Sequence, residues 1–262
     1  MKQILDLFCL SGKTETLSGG QGQSIRVGDY VVKPVTEIEK YNWTSQVLET
    51  LPASPDLKIA KPIRSKEGNY IESGYGVTQY QEGTFLTGNM PQKMAACRLL
   101  NQLLEPFQQP EEWHSWSSPW QLANRVAWQE TTLPADTHTE SRKIIEQIQS
   151  GYLPVQLPNQ LIHSDLAGNI LFNDLIPVII DFSPEFRPAI YAEVLTITDS
   201  IAWHNEKPES LWQTKHEVET VIQLALRAVV FRLAVNVFFQ PQNNELFNKE
   251  LKNFLPVLNL LK

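Results

Sequence analysis

The sequence predicts an α+β chain in which a small sheet-rich part, residues 1–83, precedes a larger and mainly helical part, residues 84–262. Three observations lead there. Short runs of alternating apolar and polar residues, broken by glycines, fill the first part. Helical periodicities dominate from Pro91 onward. Two short apolar runs, "NILF" and "VIIDF", interrupt those helices and are joined by the turn-like "NDLIP".

The elements follow in order. A short helix is expected from Lys2 to Phe8, after which "TETLSGGQGQSIRVGDYVVKPV" alternates between glycine turns. Gly28-Asp29 separates "SIRV" from "YVVKPV", which is a hairpin signal. "EIEKYNWTSQVLETL" sets Ile38, Trp43, Val47, Leu48 and Leu51 on one helical stripe. Pro52, Pro55 and Pro62 punctuate a loop, and "GNYIES" with "YGVTQYQ" reads as a second hairpin. The order is strand, strand, strand, helix, strand, strand, with "QEGTFLTGN" as connector. Helices are expected over Met94 to Leu104, Pro119 to Glu130, Glu140 to Gln149 and Glu217 to Phe239. The sequence holds no internal repeat and no low-complexity tract.

Composition narrows the function. With 42% apolar and 19% charged residues the chain can bury a sizeable core. A net charge of -7 argues against a nucleic-acid binder, which needs a basic face. Cys9 and Cys97 stand far apart and suggest neither a disulfide framework nor a zinc cluster. His114, His138, His204 and His216 lack partners at metal-ligand spacing. The opening "MKQILDLFCLSGK" is too short an apolar run, interrupted by Asp6, for a signal peptide. No stretch is read as approaching the roughly 18 apolar residues of a membrane helix. The expectation is a cytoplasmic protein with no membrane partner.

The chemistry-bearing residues fall in two groups. "HSDLAGN" precedes one short strand and "VIIDF" ends another in a carboxylate. A hairpin of these strands sets Asn169 and Asp181 near its open end, with Asp165 further out. An amide oxygen and a carboxylate there suit Mg2+, which takes one or two carboxylates and completes its octahedron with phosphates and water. Either fragment alone reads as a turn or a capped core strand; their joint presence 16 residues apart, Asp165 to Asp181, points to a site. In the second group, Gly19, Gly20 and Gly22 leave backbone N–H groups free to approach phosphate oxygens, and Lys33 follows on the next strand. "SGKT" (Ser11 to Thr14) is no Walker loop, because Leu7 stands where that loop needs glycine.

In order and setting these residues resemble the aminoglycoside phosphotransferase and choline kinase superfamily, small-molecule kinases with the protein-kinase fold. The resemblance covers nearly the whole chain. "GGQGQSIRVGDYVVKP" looks like the nucleotide loop and strand lysine, "HSDLAGNIL" the catalytic loop, and "VIIDF" the metal-binding segment. "HSDLAGN", "IDFSPEFRP" and the "SPWQLANRVAW" helix look more closely like a bacterial branch of that superfamily, a likeness that supplies no acceptor. The resemblance implies a bilobal fold, ATP and Mg2+ as cofactors, and a small-molecule acceptor as partner. It implies that Lys33 holds the α- and β-phosphates and that Asp165 faces the acceptor hydroxyl. Asn169 and Asp181 would hold the metal, and His163 would brace the loop from inside. Backbone groups around Gln79, Tyr80 and Gln81 would meet the adenine, and a helix glutamate would hold Lys33. Glu39 is the first choice for that glutamate, with Glu37 and Glu49 as alternatives. Asp199 in "TDSIAW" matches the helix aspartate that anchors the catalytic loop in related enzymes, or else is a plain N-cap.

The departures are informative. Kinase loops follow H-x-D-x-x-x-x-N, whereas three residues, not four, separate Asp165 from Asn169. Gly168 is expected to absorb the deletion in a conformation that other residues avoid. "DFS" replaces "DFG", and no long activation segment follows, which disfavours a protein kinase. Arg187 either touches a phosphate or an acidic substrate, or pairs with Glu185 or Glu193. Trp113 and Trp116 either line an acceptor site or pin their loop. The shortened loop also keeps open a nucleotide-binding protein of this fold without transfer activity.

Overall fold

The computed structural model describes residues 2–17 and 23–262. Gly19, Gly20 and Gly22 of the expected phosphate loop lie outside the described residues. Along the chain run α1 (Lys2–Leu7), β1 (Thr14–Thr16), β2 (Ile25–Val27), β3 (Tyr30–Pro34), α2 (Ile38–Thr50), β4 (Lys58–Ile59), β5 (Ile71–Glu72) and β6 (Tyr75–Gln79). Then come α3 (Met90–Leu104), α4 (Pro119–Ala127), α5 (Thr139–Gln149), β7 (Asn159–His163), β8 (Ile170–Asn173), β9 (Ile176–Ile179) and β10 (Pro184–Pro188). The last helices are α6 (Ala189–Trp203), α7 (Val218–Phe239) and α8 (Asn244–Leu260). The chain divides into two compact units, residues 1–86 with 169–182, and residues 87–168 with 183–262.

In the first unit an antiparallel sheet has the order β1-β2-β3-β6-β5. Gly28 opens the two-residue β2–β3 turn with φ 58°, and a Cβ there would stand 2.5 Å from the Ser11 carbonyl oxygen. Only glycine meets both conditions. Alternation sends Val27, Val32 and Val77 to one face, where they close a core with Ile4, Phe8 and Leu10. Burying such a side chain contributes about 1.5–3 kcal/mol. The expected second apolar pair is an antiparallel hairpin, β8 with β9, turned at Asp174 and Leu175. β4 adds to β9 in parallel, and Thr84 bonds the Phe172 backbone in both directions, at 2.8 and 2.9 Å.

In the second unit β7 pairs antiparallel with β10, so that His163 stands opposite Pro184. Neither strand is among the elements expected from the sequence. Pro184 and Pro188 bound β10, and proline demotes a strand signal even where the strand forms. Helix α4 ends at Ala127 rather than Glu130, because Gln129 turns left-handed at φ 58°. Helix α8 was not drawn, and it carries Pro256 inside it. α6 and α7 are buried nearly all round, which marks them as core helices. One expectation is corrected here: α7, at 22 residues, is long and apolar enough to cross a membrane by length and composition. Most of its apolar window is buried within the protein, as in a soluble core helix.

Candidate active site

The β8–β9 hairpin mouth is closed by the Ile180 N–H, which donates to the Asn169 carbonyl oxygen at 3.1 Å. Asn169 and Asp181 therefore flank the same hairpin end. Asp181 lies two residues past β9, exposed, and its Oδ1 accepts from Lys33 Nζ at 2.6 Å. Lys33 thus points from the sheet to the hairpin, and the two residues are 148 positions apart. Burial lowers the Lys33 pKa, but the charge and hydrogen bond of Asp181 outweigh it and leave the ammonium raised above its ordinary 10.5. The oxygens of Asn169 and Asp181 are hard donors at an open hairpin end. They fit Mg2+, which needs no larger protein cage. No cluster of three metal-ligating side chains exists among the described residues, as that sparse coordination allows.

The expected helix glutamate is not beside Lys33. Glu39 is exposed, Glu37 pairs with Lys40 at 3.3 Å, and Glu49 is held by the Arg64 fork at 2.8 Å through both oxygens. The guanidinium of Arg64 and the Tyr70 hydroxyl hold the Glu49 carboxyl down to about 2. From helix α2 it is Tyr41 that meets this region. Gly76 pairs with Lys33 across the sheet, and a Cβ on Gly76 would overlap the Tyr41 ring. Burial raises the Tyr41 pKa, while Lys33 lowers it and Asp181 raises it further. At the connector, the Gln79 N–H donates to Lys61 O and the Tyr80 N–H to Asp29 O, both at 2.8 Å. Those two amides are committed within the fold. The Tyr80 ring lies under Arg26, 3.6 Å from ring centroid to guanidinium carbon, and Gln81 is half-buried beside them in sequence.

In the second unit, "HSDLAG" leaves β7 as two consecutive turns. His163 is buried, and its Nδ1 accepts the Asp165 N–H at 3.1 Å and the Ser183 N–H at 3.4 Å. Accepting there puts the imidazole proton on Nε2. The ring so ties the turn carrying Asp165 to the chain that follows Asp181. Gly168 corrects an expectation: its φ lies outside the left-handed region, and a Cβ would meet nothing within 4 Å. The shortened loop closes without glycine's special freedom.

Asp199 is fully buried in the middle of α6 and is no helix cap. Its carboxylate takes Arg232 of α7 through both oxygens, Oδ1 from Nε at 3.0 Å and Oδ2 from Nη2 at 2.5 Å. Arg232 Nη2 also reaches Asp165 Oδ1 at 2.8 Å and the Ser164 carbonyl at 3.0 Å. Sequence reasoning missed Arg232. The available signal was an arginine inside a continuous apolar helix, which needs a counter-charge when buried. Arg187 binds neither Glu185 nor Glu193 but Glu130, through a two-pronged pair at 2.6 and 2.8 Å, with Asn124 on its Nε. Trp113 and Trp116 are buried and packed against one another with their rings tilted, Trp113 also meeting Phe186 edge-on, so they pin their segment.

The α+β arrangement described here is the fold of the aminoglycoside phosphotransferases, a protein-kinase-like fold. The apo form of a thermostable mutant of aminoglycoside phosphotransferase APH(4)-Ia superposes with a TM-score of 0.64 at 15% identity, over 99% of this chain and 97% of that one. The amicoumacin kinase hAmiN, in complex with AMP-PNP, Ca2+ and Ami, gives 0.60 at 12% identity, over 96% and 91%. The GDP and kanamycin complex of APH(2")-IIia gives 0.57 at 17%, over 96% and 98%. Identities this low establish the fold. No family profile matches the chain, and no curated protein matches it in sequence.

Proposed function

We propose that the chain is a magnesium-dependent phosphotransferase of the cytoplasm that moves the γ-phosphate of ATP to a hydroxyl of a small molecule. The observation that carries the reading is the Lys33–Asp181 pair at 2.6 Å beside Asn169, in a chain with the aminoglycoside phosphotransferase fold. Phosphoryl transfer asks a protein mainly for positioning and charge neutralisation. Lys33 binds phosphate oxygens and offsets their charge. Asn169 and Asp181 hold the cation, which supplies further neutralisation when bound. A carboxylate is in general a weak base at neutral pH. Asp165 therefore mainly orients the acceptor hydroxyl and takes its proton late. The solved neighbours support a small hydroxylated acceptor by analogy, since structures of that fold include complexes with hygromycin B and kanamycin.

ADP release from MgATP, alone and with a broad panel of hydroxyl compounds, tests this. The expected result is turnover above background that Asp181→Ala removes, because the substitution deletes one metal ligand and the partner of Lys33. ATP binding with no turnover against the whole panel would overturn the reading. It would favour instead a nucleotide-binding protein, which the three-residue Asp165–Asn169 spacing motivates.

A further inference from the structure

We propose that Arg232 is the positioning residue of Asp165, fixing the carboxylate of the acceptor-facing residue to a charge buried inside the helical core. The catalytic consequence rests on the phosphotransferase reading; the positioning itself does not. Arg232 is 3% exposed and Asp199 fully buried, whereas the Asp165 side chain is 37% exposed. One end of the bridge is thus embedded and the other faces outward. The guanidinium is planar with donors at fixed spacing. Two of its nitrogens are spent on Asp199, so the plane and direction of the third contact are set before Asp165 arrives. Trp203 and Phe231 lie against the same guanidinium, 5.3 and 4.6 Å from centroid to carbon. Nη2 has two hydrogens and serves three oxygens: Asp199 Oδ2, Asp165 Oδ1 and Ser164 O. It therefore restrains the Asp165 side chain and the backbone just before it together.

The charge count supports a role beyond stability. One cation stands among three carboxylates, since Glu250 also lies within its field, and Asp199 takes it in two-pronged fashion. Asp165 shares Arg232 with Asp199 and is oriented by it, while its partly exposed side chain keeps a face turned outward. A buried ion pair is also a poor device for stability, since apolar residues of similar volume often serve as well or better. What apolar residues cannot do is hold an outward carboxylate in one place.

The test compares wild type with Arg232→Lys and with the double variant Asp199→Leu/Arg232→Met. The double variant leaves no orphaned buried charge and so keeps the fold testable should the single variant unfold. With MgATP as the only substrate, kcat for ADP release is expected to fall roughly 100-fold, with KM for ATP within about twofold. Lys33, Asn169 and Asp181 belong to the other unit, which is why KM should not move. Unchanged kcat in both variants would overturn the proposal. If wild type itself releases no ADP, the phosphotransferase reading fails, and crystal structures of the double variant decide the positioning alone. An Asp165 side chain spread over several rotamers sustains it; one unchanged rotamer overturns it.

Discussion

Asp165→Asn is expected to lower turnover of ATP by about 10²–10⁴-fold, the range for loss of a positioned proton acceptor. The substitution keeps the shape of the side chain and leaves an oxygen for Arg232, which now donates to Asp165 Oδ1 at 2.8 Å. It removes the ability to take a proton and the negative charge that orients a hydroxyl. The residues proposed to hold the nucleotide and the cation are untouched, so ATP affinity by calorimetry should stay within about twofold of wild type. A drop in kcat with unchanged affinity is the signature of an interaction that matters only during transfer. Turnover that survives in this variant would remove Asp165 from its assigned role.

Asp199→Ala is expected to destabilise the fold by about 3–5 kcal/mol, because it leaves the buried Arg232 guanidinium with only the partly exposed Asp165 as hydrogen-bonded counter-charge. In a chain of this size that corresponds to a fall in Tm of roughly 10 °C. The pH dependence has a definite sign. Burial pushes the Asp199 carboxyl up to about 6 from its ordinary 3.8, against the pull of Arg232 and with help from the negative Asp165. A carboxyl that holds its proton more tightly when folded adds stability that is complete below pH 3.8 and is lost as pH rises through about 6. Wild type has this contribution and the alanine variant lacks it. The stability gap should therefore widen as pH falls from about 7 to about 5. Urea denaturation at the two pH values measures it, and a gap that narrows would contradict the burial argument.

The hairpins turned at Gly28 and "NDLIP" were legible in the sequence because they are local, each turn declared within a few residues. Asn169 and Asp181 could be placed at one hairpin end for the same reason. What escaped depends on partners distant along the chain. Arg232 and Asp199 are 33 positions apart, Lys33 and Asp181 148, and periodicity carries no information about such pairings. A glutamate for Lys33 was sought on α2 by analogy, but packing turned Tyr41 toward the sheet at Gly76 instead. Arg187 shows the same limit, since Glu130 lies 57 positions upstream. The phosphate-loop glycines lie outside the described residues, and their part in the site rests on the sequence alone.

The Lys33–Asp181 pair has a thermodynamic consequence for ligands. On the proposed function each partner holds what the other's ligand needs, so Lys33 would have to let go of Asp181 to embrace a phosphate, and Asp181 would have to let go of Lys33 to accept a cation. Either ligand arriving alone strands one charge, whereas both together find each residue released by the other's departure. Nucleotide and cation should therefore bind with positive cooperativity, and by reciprocity each strengthens the other by the same factor. The pair is partly exposed, and such pairs hold for about 1 kcal/mol or less, so the cooperative factor is about fivefold or less. Titrating ATP with and without Mg2+ in wild type and in Lys33→Met would read it as a difference between two differences; equal cation effects in both proteins would show that the two sites do not talk through this bond.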